Sequence, residues 1–379
     1  MLPEITPEDL VSRVEAGEPI QVLDVRPSER LANGRIDLVP DVRFHNIPGS
    51  MIQAKASNGE LPIDKNRPVA VVCDQGMSSK AATSLLRMLG FEAHSVAGGM
   101  ARWMHTLIAR ELRETSSLDK LVQFDRVGKG SLTYLLMSDG EALVIDPPRA
   151  TRAIEEVVET AGAKIVGFAD THVQADYISG SPSASQRLGV PYYLHPDDNV
   201  YPYDDTPGRL AFEPVHDSST IEFGRCKVQV FHNPGHTLGS VSFLIDGAAA
   251  FTGDFIFVQS LGRPDLGGNA EQWTPLLWAS LERARNNWPE NIAVYPAHYA
   301  SDKERNEDRS IGRPLAEITA SCEPLRITEE SKFTKWVLER CTSFPEAYIK
   351  IKAVNVGLLR PSLLEADELE VGKNECAMI

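Results

Sequence analysis

Short apolar runs alternate with helix-like stretches from about residue 5 to residue 110, and this alternation constrains the fold more than any other feature. The apolar runs read PIQVLDVR, PVAVVCDQG and EAHSVAGG, and SSKAATSLLRMLGF carries apolar residues at helical spacing. Strands that alternate with helices form parallel sheets, in which functional residues gather at the carboxyl ends of the strands. We therefore expect an N-terminal α/β domain over 1–112, closed by a helix within ARWMHTLIARELRETSSLDK.

The pattern changes from about residue 118, where strands come in pairs. Two strands around Asp139 and Gly140 are indicated by LTYLLMSDGEALVIDPP, and SSTIEFGRCKVQVFHNPGHT has a similar hairpin-like pattern. Helices are predicted in RATRAIEEVVETAGA and SKFTKWVLERCTSFPEAY, and a strand in KIVGFADTH. Paired strands separated by helices predict an αββα sandwich over 118–379.

Charge and cysteine usage narrow the class of protein. The formal charge is −15 with no stripe of Lys and Arg, which disfavours a nucleic-acid partner. The five cysteines are widely spaced, as expected for free thiols in a reducing compartment. The start, MLPEITPEDL, does not resemble a secretory signal, and no apolar run reaches the length of a membrane span. These features predict a cytoplasmic protein with no membrane partner, and they leave a homo-oligomer open.

Cys73 stands where a buried strand turns into a helix, in VVCDQGMSSKAA. The next five residues are expected to form a loop whose backbone N–H groups point inward, and the helix start adds positive partial charge. Both effects favour a thiolate and can hold a sulfur-bound anion. Without further context, an inert buried cysteine is the more common explanation. The expected loop residues are Asp74, Gln75, Gly76, Met77 and Ser78.

With LDVRPSER upstream and VAGGMARW downstream, this segment resembles a single-domain rhodanese, a sulfurtransferase, over roughly the first 110 residues. The resemblance implies that Cys73 accepts a sulfane sulfur as a persulfide and passes it to a thiol or another acceptor. Asp24 and Arg26 match the family's structural DVR element. Rhodanese loops usually carry Arg after the cysteine, whereas Asp74 follows it here. A carboxylate at that place should raise the pKa of Cys73 and repel anionic donors such as thiosulfate.

A second group of candidate residues lies in FADTHVQADYISG, where polar side chains follow a strand-like run. Metallohydrolases with two adjacent metals usually carry His at these positions, apart from one Asp. Gln174 and Tyr177 therefore occupy two positions at which a metal-binding turn of this kind would carry a ligand histidine. The polar residues of this turn are His172, Gln174, Asp176 and Tyr177.

Four separated pieces resemble the metallo-β-lactamase superfamily in the correct order, namely THVQADY, NPGHTLGSVSF, FTGDFIF and YPAHY. The resemblance implies a metal site and identifies which ligand types this chain keeps. Gln174 and Tyr177 stand where His is expected. The residues that match the ligand positions are His172, Asp176, His236, Asp254 and His298.

The retained residues indicate which metal is bound. The first position keeps His172, His236 and Asp254, which match the facial triad of mononuclear Fe(II) oxygenases. The second metal position keeps only one imidazole and has more carboxylate ligands than the first, which makes it a poorer site for zinc or iron. Because each position has lost one expected ligand, ligand counting alone does not decide between one metal and two. The residues that would either hold a second metal or surround the first are Gln174, Asp176, Tyr177 and His298.

GHTLGSVSF, FTGDFIFVQSLGRPDLGG and VYPAHY are most similar to persulfide dioxygenases and their glyoxalase II-like relatives. That resemblance implies Fe(II), one per chain, on His172, His236 and Asp254, with zinc as the alternative metal. It implies a sulfurtransferase–persulfide dioxygenase fusion that oxidises glutathione persulfide, or a similar small persulfide, with O₂ to sulfite. Arg263 in GRPDL is a candidate for substrate binding, or for pinning its own loop through Asp265.

Two other functions stay open. A glyoxalase II-type thioester hydrolase requires two metals that clamp a bridging hydroxide, and Gln174 and Tyr177 argue against it. A sulfur-carrier or redox protein with a catalytically inactive metallo domain would keep Cys73 and bind no metal. The cysteines expected to be structural or incidental are Cys226, Cys322, Cys341 and Cys376.

Overall fold

The structure is a computed structural model that describes residues 3–113 and 115–378. These residues fall into two compact units. The first unit runs to Ile108 and also includes 126–129 and 371–373. The second unit begins at Ala109 and contains the other described residues.

The first unit is built on a five-stranded sheet with the order β1-β5-β4-β2-β3, in which the neighbouring strands pair in parallel. All four residues of β2 and of β4 are buried, as expected for parallel strands covered on both faces. The α/β fold predicted for this part of the chain is therefore confirmed. The strands are β1 (Glu4–Ile5), β2 (Gln21–Asp24), β3 (Phe44–Asn46), β4 (Val69–Val72) and β5 (Ala93–Val96). The helices are α1 (Pro7–Glu15), α2 (Ile52–Ser57), α3 (Ser78–Met88) and α4 (Gly99–Trp103).

The helix predicted to close this domain is wrong in its second half. Helix α4 ends at Trp103, and β6 (Leu107–Glu111) follows as an edge strand of a different sheet. Just beyond β6, the N–H of Leu112 donates to the carbonyl of Leu121 at 2.9 Å. Pairing with a neighbouring strand thus overrides the helical propensity of this stretch, because strand formation depends strongly on context.

The second unit contains two larger sheets and a short ribbon of β12 and β13. The first sheet has seven strands in the order β14-β11-β10-β9-β8-β7-β6, and the second has six in the order β15-β16-β17-β18-β19-β20. The strands up to β14 are β7 (Lys120–Arg126), β8 (Ser131–Ser138), β9 (Glu141–Ile145), β10 (Lys164–Ala169), β11 (Tyr192–Leu194), β12 (Val200–Tyr201), β13 (Thr206–Pro207) and β14 (Glu213–Pro214). The others are β15 (Thr220–Phe223), β16 (Cys226–His232), β17 (Val241–Ile245), β18 (Ala249–Gly253), β19 (Ala293–Pro296) and β20 (Arg313–Pro314).

A shared apolar core joins the inner faces of the two large sheets. Leu136 and Leu143 of the first sheet lie in one buried cluster with Val230 and Phe243 of the second. Helices α5 and α6 contact β10, and α7 packs on the other sheet through Leu277 in a separate cluster. This arrangement confirms the predicted αββα sandwich. The helices are α5 (Arg152–Thr160), α6 (Ser181–Leu188), α7 (Ala270–Asn287), α8 (Leu315–Ser321), α9 (Glu330–Leu338), α10 (Ala347–Asn355) and α11 (Leu363–Leu369).

Both predicted hairpins are present, and the backbone of its turn explains the first of them. Strands β8 and β9 pair antiparallel around Asp139 and Gly140, which both have positive φ, as a tight hairpin turn requires. Strands β15 and β16 also pair antiparallel, which confirms the second hairpin. The helix predicted after residue 330 is α9, and Pro345 precedes α10 after a break. Among the described residues, no helix has both the length and the apolar character needed to span a membrane.

Candidate metal centre and sulfur site

Four of the predicted ligands follow the carboxyl ends of strands. His172 comes after β10, His236 after β16, Asp254 directly after β18 and His298 after β19. The turns beyond the strand ends are not constrained by the hydrogen bonds of the sheet, so their side chains can point inward. Loops of this kind carry a disproportionate share of binding and catalytic residues. The two large sheets thus bring these four side chains together, although they are far apart in the sequence.

His172, His236 and Asp254 converge on one point. Asp254 Oδ2 lies 3.6 Å from His172 Nε2 and 3.5 Å from His236 Nε2. All three atoms are buried, and none makes a hydrogen bond with the described residues. Leaving three buried polar atoms without partners is costly unless something binds them. Two imidazole nitrogens and a carboxylate oxygen within 4.8 Å of one another fit a metal ion.

The opposite nitrogen of each imidazole is held by a partner that fixes the ring. His236 Nδ1 donates to the carbonyl of Arg263 at 2.8 Å. His172 Nδ1 lies 2.9 Å from the hydroxyl of Thr171, which donates to Asp146 at 2.8 Å and therefore accepts from the imidazole. Burial lowers the pKa of His236 to about 3, which keeps the imidazole neutral. Both rings are therefore held with Nε2 facing Asp254, the orientation that metal-ligating histidines have.

His298 connects Asp254 to a second carboxylate. Its Nδ1 lies 2.6 Å from Asp254 Oδ1, and its Nε2 lies 3.2 Å from Asp176 Oδ2. Although burial opposes the charge, the two carboxylates raise the pKa of His298 to about 10. Burial also opposes ionisation of Asp254, but His298 and His172 hold its pKa well below the usual value. Asp254 is therefore a carboxylate with Oδ1 bonded to His298 and Oδ2 facing the two imidazoles.

A second possible ligand set includes a residue that carries no motif in the sequence. Asp176, His298 and Cys376 are all buried, and their ligand atoms lie within 4.8 Å of one another. The sequence indicated Asp176 and His298 for this position, but it gave Cys376 no role because the cysteine lies far along the chain from any metal-binding motif. Only the folded C-terminal segment brings the Cys376 thiol to the other two side chains.

Gln174 and Tyr177, which occupy expected histidine positions, are both buried but contribute differently. The Tyr177 hydroxyl donates to the carbonyl of Asp146 at 3.1 Å, while its ring packs edge-on against His298. This hydroxyl is therefore used in holding the backbone beside the site. The amide atoms of Gln174 make no hydrogen bond with the described residues.

Arg263 is almost fully engaged by protein groups. Its Nε and Nη2 donate to the two carboxylate oxygens of Asp265 at 2.7 and 2.6 Å, and it also contacts the carbonyls of Thr342 and Glu375. Only 4% of the residue is exposed. These contacts support the loop-pinning role, since the pinned loop places the Arg263 carbonyl behind His236.

Cys73 directly follows β4, with Asp74, Gln75 and Met77 in the turn before α3. The Gly76 N–H donates to Cys73 Sγ at 3.1 Å, and the Ser79 hydroxyl lies 3.3 Å from the sulfur. Burial alone raises the pKa of Cys73, but hydrogen bonds from Ser78, Ser79 and backbone amides outweigh it, so the pKa is lowered. The loop thus favours the thiolate, as its N–H groups indicated.

The expectation that Asp74 raises the pKa of Cys73 is wrong. The Asp74 side chain is 54% exposed and lies 3.8 Å from a nitrogen of Arg26, whose positive charge it shares with Asp24. Arg26 is itself buried and donates to both carboxylate oxygens of Asp24, at 2.7 to 3.1 Å. A solvated carboxylate beside an Arg affects the thiol less than hydrogen bonds made directly to the sulfur.

Replacing Ser79 with Ala should shift the reactivity of Cys73 to higher pH. The change removes a hydroxyl that stabilises the thiolate, so a higher pH is needed to ionise the thiol. Iodoacetamide alkylation of Cys73 as a function of pH, followed by mass spectrometry, measures the shift. Ser84→Ala on the same helix is the control, since the Ser84 hydroxyl bonds to the carbonyl of Lys80 instead. An unchanged profile for Ser79→Ala would show that Ser79 does not tune the thiol.

Comparison with protein families identifies both parts of the chain. Residues 6–106 match the family model of the rhodanese-like domain, and residues 126–309 match that of the metallo-beta-lactamase superfamily. The chain therefore carries a rhodanese-like domain followed by a metallo-β-lactamase domain.

Among individual proteins, the metallo-β-lactamase part is similar to persulfide dioxygenases. The mitochondrial persulfide dioxygenase ETHE1 of Bos taurus is 33% identical over 171 residues, which cover 44% of this chain and 63% of that protein. The human protein of the same name is 31% identical over 176 residues, which again cover 44% of this chain and 63% of that protein. The chain thus spans less than two thirds of the length of these relatives. The probable metallo-hydrolase YqgX of Bacillus subtilis is 25% identical over 44% of this chain and 83% of that protein.

Solved structures support the same fold. A metallo-beta-lactamase from Staphylococcus aureus superposes with a TM-score of 0.53 and 25% identity, over 67% of this chain and 74% of its own. ETHE1 from Myxococcus xanthus gives a TM-score of 0.51 at 22% identity, over 66% of this chain and all of its own. At that identity the second likeness concerns the fold alone.

Proposed function

We propose that the second unit is a persulfide dioxygenase with one iron on His172, His236 and Asp254, and that the first unit is a rhodanese sulfurtransferase centred on Cys73. The observation that carries the proposal is the convergence of three buried ligand atoms without hydrogen-bond partners. Similarity to mammalian persulfide dioxygenases supports the same chemistry. The rhodanese-like domain at the N-terminus supports a role in sulfane-sulfur metabolism.

The proposed reaction converts glutathione persulfide, O₂ and water into glutathione, sulfite and two protons. Iron(II) on two imidazoles and a carboxylate would supply open positions at which the persulfide and O₂ are activated together. The protein supports this set by fixing both rings, through the Arg263 carbonyl and through Thr171. His298 keeps Asp254 ionised and occupies its second oxygen, so that one oxygen is left as ligand.

In the first unit, the Cys73 thiolate would attack the outer sulfur of a donor. A new S–S bond forms to Cys73, the donor leaves as a thiolate or sulfite anion, and an acceptor thiol later removes the outer sulfur as a persulfide. The Gly76 N–H, which already bonds to the sulfur, supports the anionic form. Two enzymes that share sulfane sulfur benefit from linkage because each raises the local concentration of the other's substrate.

The dioxygenase is tested with protein purified without oxygen and loaded with iron. We expect rapid O₂ uptake on addition of glutathione persulfide, with one sulfite formed per O₂ consumed and none with glutathione alone. An oxygen electrode and sulfite analysis make the measurement. Cleavage of a glutathione thioester without O₂ uptake would contradict the proposal, as would iron-loaded protein that is inert to persulfide, the result expected for an inactive metallo domain.

A second candidate function is thioester hydrolysis by a pair of metals. The observation that favours it is the buried set of Asp176, His298 and Cys376, which could hold a thiophilic ion such as zinc beside the first site. Thiolate ligands select zinc over harder ions, so Cys376 could replace the histidine lost at Tyr177. The two candidates therefore differ in whether Cys376 is needed for metal binding.

Replacing Cys376 with Ser distinguishes the persulfide dioxygenase from the two-metal hydrolase. With one iron, we expect about one metal per chain in the variant as in the original protein, because the three ligands are untouched. Metal analysis, together with the thiolate charge-transfer band of the cobalt-substituted protein, measures this. Cys341→Ser is the control, because Cys341 lies outside both clusters. A fall from about two metals per chain to one, with loss of the thiolate band, would support the hydrolase instead.

A further inference from the structure

Three histidines of the second unit gather at a place separate from the metal centre. His195 directly follows β11, His216 lies two residues beyond β14, and His232 is the last residue of β16. The rings of His195 and His232 stack, with their centroids 4.1 Å apart and their planes 8° apart. The ring of His216 meets that of His195 edge-on at 5.6 Å. No metal-binding motif in the sequence includes these residues, so only the fold brings them together.

A carboxylate completes this group. Asp197 lies in the turn after His195, where its side chain is 60% exposed and its Oδ2 is 3.8 Å from His195 Nδ1. One ligand-type atom from each of His195, Asp197 and His232 lies within 4.8 Å of the other two. The ligand atoms of a tetrahedral zinc ion are about 3.4 Å apart, so small rotations of the side chains would bring these three atoms to a common ion.

The hydrogen bonds of the two stacked rings suit a metal ligand. His232 Nε2 donates to the carbonyl of Leu238 at 2.9 Å, so the neutral ring has its lone pair on Nδ1. A ring N–H bonded to a backbone carbonyl is the usual arrangement behind a ligating imidazole. His195 Nδ1 accepts from the Asp197 N–H at 3.3 Å, a long hydrogen bond that a metal can replace at little cost. Both rings therefore have Nδ1 available for an ion.

The charges around His195 favour the neutral imidazole. Burial lowers the pKa of His195, and the nearby His232 and His216 lower it further, although Asp197 and Asp198 act in the opposite sense. The neutral form is the one that binds a metal. Protonated rings in this group would repel one another, whereas a bound cation would be shared by their lone pairs and stabilised by the carboxylate of Asp197.

The group lies where the two large sheets of the second unit meet. Strands β11 and β14 belong to the seven-stranded sheet, and β16 belongs to the six-stranded sheet. An ion bound here would link the two sheets and hold the turn that includes Asp198. Asp198 in turn accepts hydrogen bonds from the Val173 N–H at 2.6 Å and the Thr237 hydroxyl at 2.9 Å. These two residues directly follow His172 and His236 of the metal centre.

We propose that His195, His232 and Asp197 bind a structural zinc ion that is separate from the metal centre. His216 is exposed beside His195, so its ring can turn to supply the fourth ligand that structural zinc sites have. Imidazole and carboxylate ligands hold zinc more tightly than Fe(II), which favours zinc at this place. The ion links the two sheets. The proposal goes beyond the dioxygenase function and does not rest on it.

Replacing His232 with Gln tests the site by metal analysis of the whole protein. Metal-free protein is first loaded with iron alone, then equilibrated with a small excess of zinc and desalted, and both metals are counted in the same sample. We expect the original protein to hold about one zinc per chain more than His232→Gln. The two proteins share the same metal centre, so this difference counts the proposed site alone, even where zinc replaces iron in the centre.

Two further variants keep the result interpretable. His94→Gln changes a histidine of β5 that lies outside the ligand groups found among the described residues, and it should hold as much zinc as the original protein. Asp197→Asn removes the charge of an exposed side chain and leaves the packing intact, and it should bind zinc about 10-fold or more weakly. Zinc should raise the melting temperature of the original protein more than that of His232→Gln.

The outcomes that overturn the proposal are specific. If His232→Gln holds as much zinc as the original protein, the rings only stack and no site exists. If His232→Gln fails to fold, Asp197→Asn decides, and unchanged zinc affinity in that variant would overturn the proposal. An equal loss of zinc in His94→Gln would also overturn it. If one zinc depends on His232 but persulfide causes no O₂ uptake, the dioxygenase fails and the zinc site stands.

Discussion

Asp254→Asn should leave the fold intact and remove iron from the metal centre. The amide has almost the same shape, but it lacks the negative charge that faces His172 and His236, and it can no longer pair with the His298 imidazolium. Because loss of a partner behind a ligand costs 10- to 100-fold, we expect loss of the ligand to reduce O₂ uptake by at least about 100-fold. Iron analysis, O₂ uptake and thermal melting measure the three effects.

Asp308→Asn is the matched control, since Asp308 is an exposed carboxylate outside both clusters. It should keep the iron content and the activity of the original protein. If Asp254→Asn bound iron and consumed O₂ as the original protein does, the assignment of Asp254 as a ligand would be wrong.

Cys73→Ser should abolish sulfur transfer and leave persulfide oxidation intact. A serine hydroxyl is not ionised near neutral pH and cannot carry a sulfane sulfur, so transfer from a donor to a thiol should fall by roughly 1000-fold or more. Oxidation of preformed glutathione persulfide should continue, because the metal ligands all lie in the second unit. Mass spectrometry of the protein after treatment with a donor should show one added sulfur on Cys73 and none in the variant.

Cys341→Ser controls for the loss of an ordinary thiol and should transfer sulfur normally. Weak activity with thiosulfate stays a prediction, because the Asp74 carboxylate is exposed beside the loop and shares the charge of Arg26 with Asp24. Uncharged donors, such as organic polysulfides, are therefore better suited to the assay of sulfur transfer by Cys73. Sulfur transfer that survives in Cys73→Ser would remove the rhodanese part of the proposal.

Much of the fold could be predicted from local patterns. Strands β2 and β4 were predictable because continuous apolar runs of this length are typical of buried parallel strands. The hairpin at Asp139-Gly140 was predictable because these two residue types adopt the positive φ that a tight turn requires. The stretch Leu107–Glu111 misled the prediction because its strand state depends on pairing with β7, the next strand along the chain. Edge strands carry little information of their own, which explains the miss.

The candidate site was predictable where motifs mark it. His172, His236 and Asp254 lie in recognisable pieces, and the structure brings them together. Cys376 stands in no motif, so only the packing of the C-terminal segment reveals its position beside Asp176 and His298.

The pKa of Cys73 shows how neighbours in sequence can mislead. Asp74 is adjacent along the chain, but its carboxylate points towards solvent and Arg26. Ser79 is further along the chain, yet α3 turns its hydroxyl back to the sulfur. The sign of the shift is therefore a property of the folded loop.

The central claim is that one iron binds His172, His236 and Asp254 and is accessible to a small substrate. The most direct measurement is electron paramagnetic resonance of the iron-loaded protein treated with nitric oxide, a stand-in for O₂, with iron counted in the same sample. We predict the half-integer-spin signal of an isolated iron–nitrosyl centre, at about one iron per chain, that changes when glutathione persulfide is added. About two coupled metals per chain, or a signal that persulfide does not alter, would contradict the account.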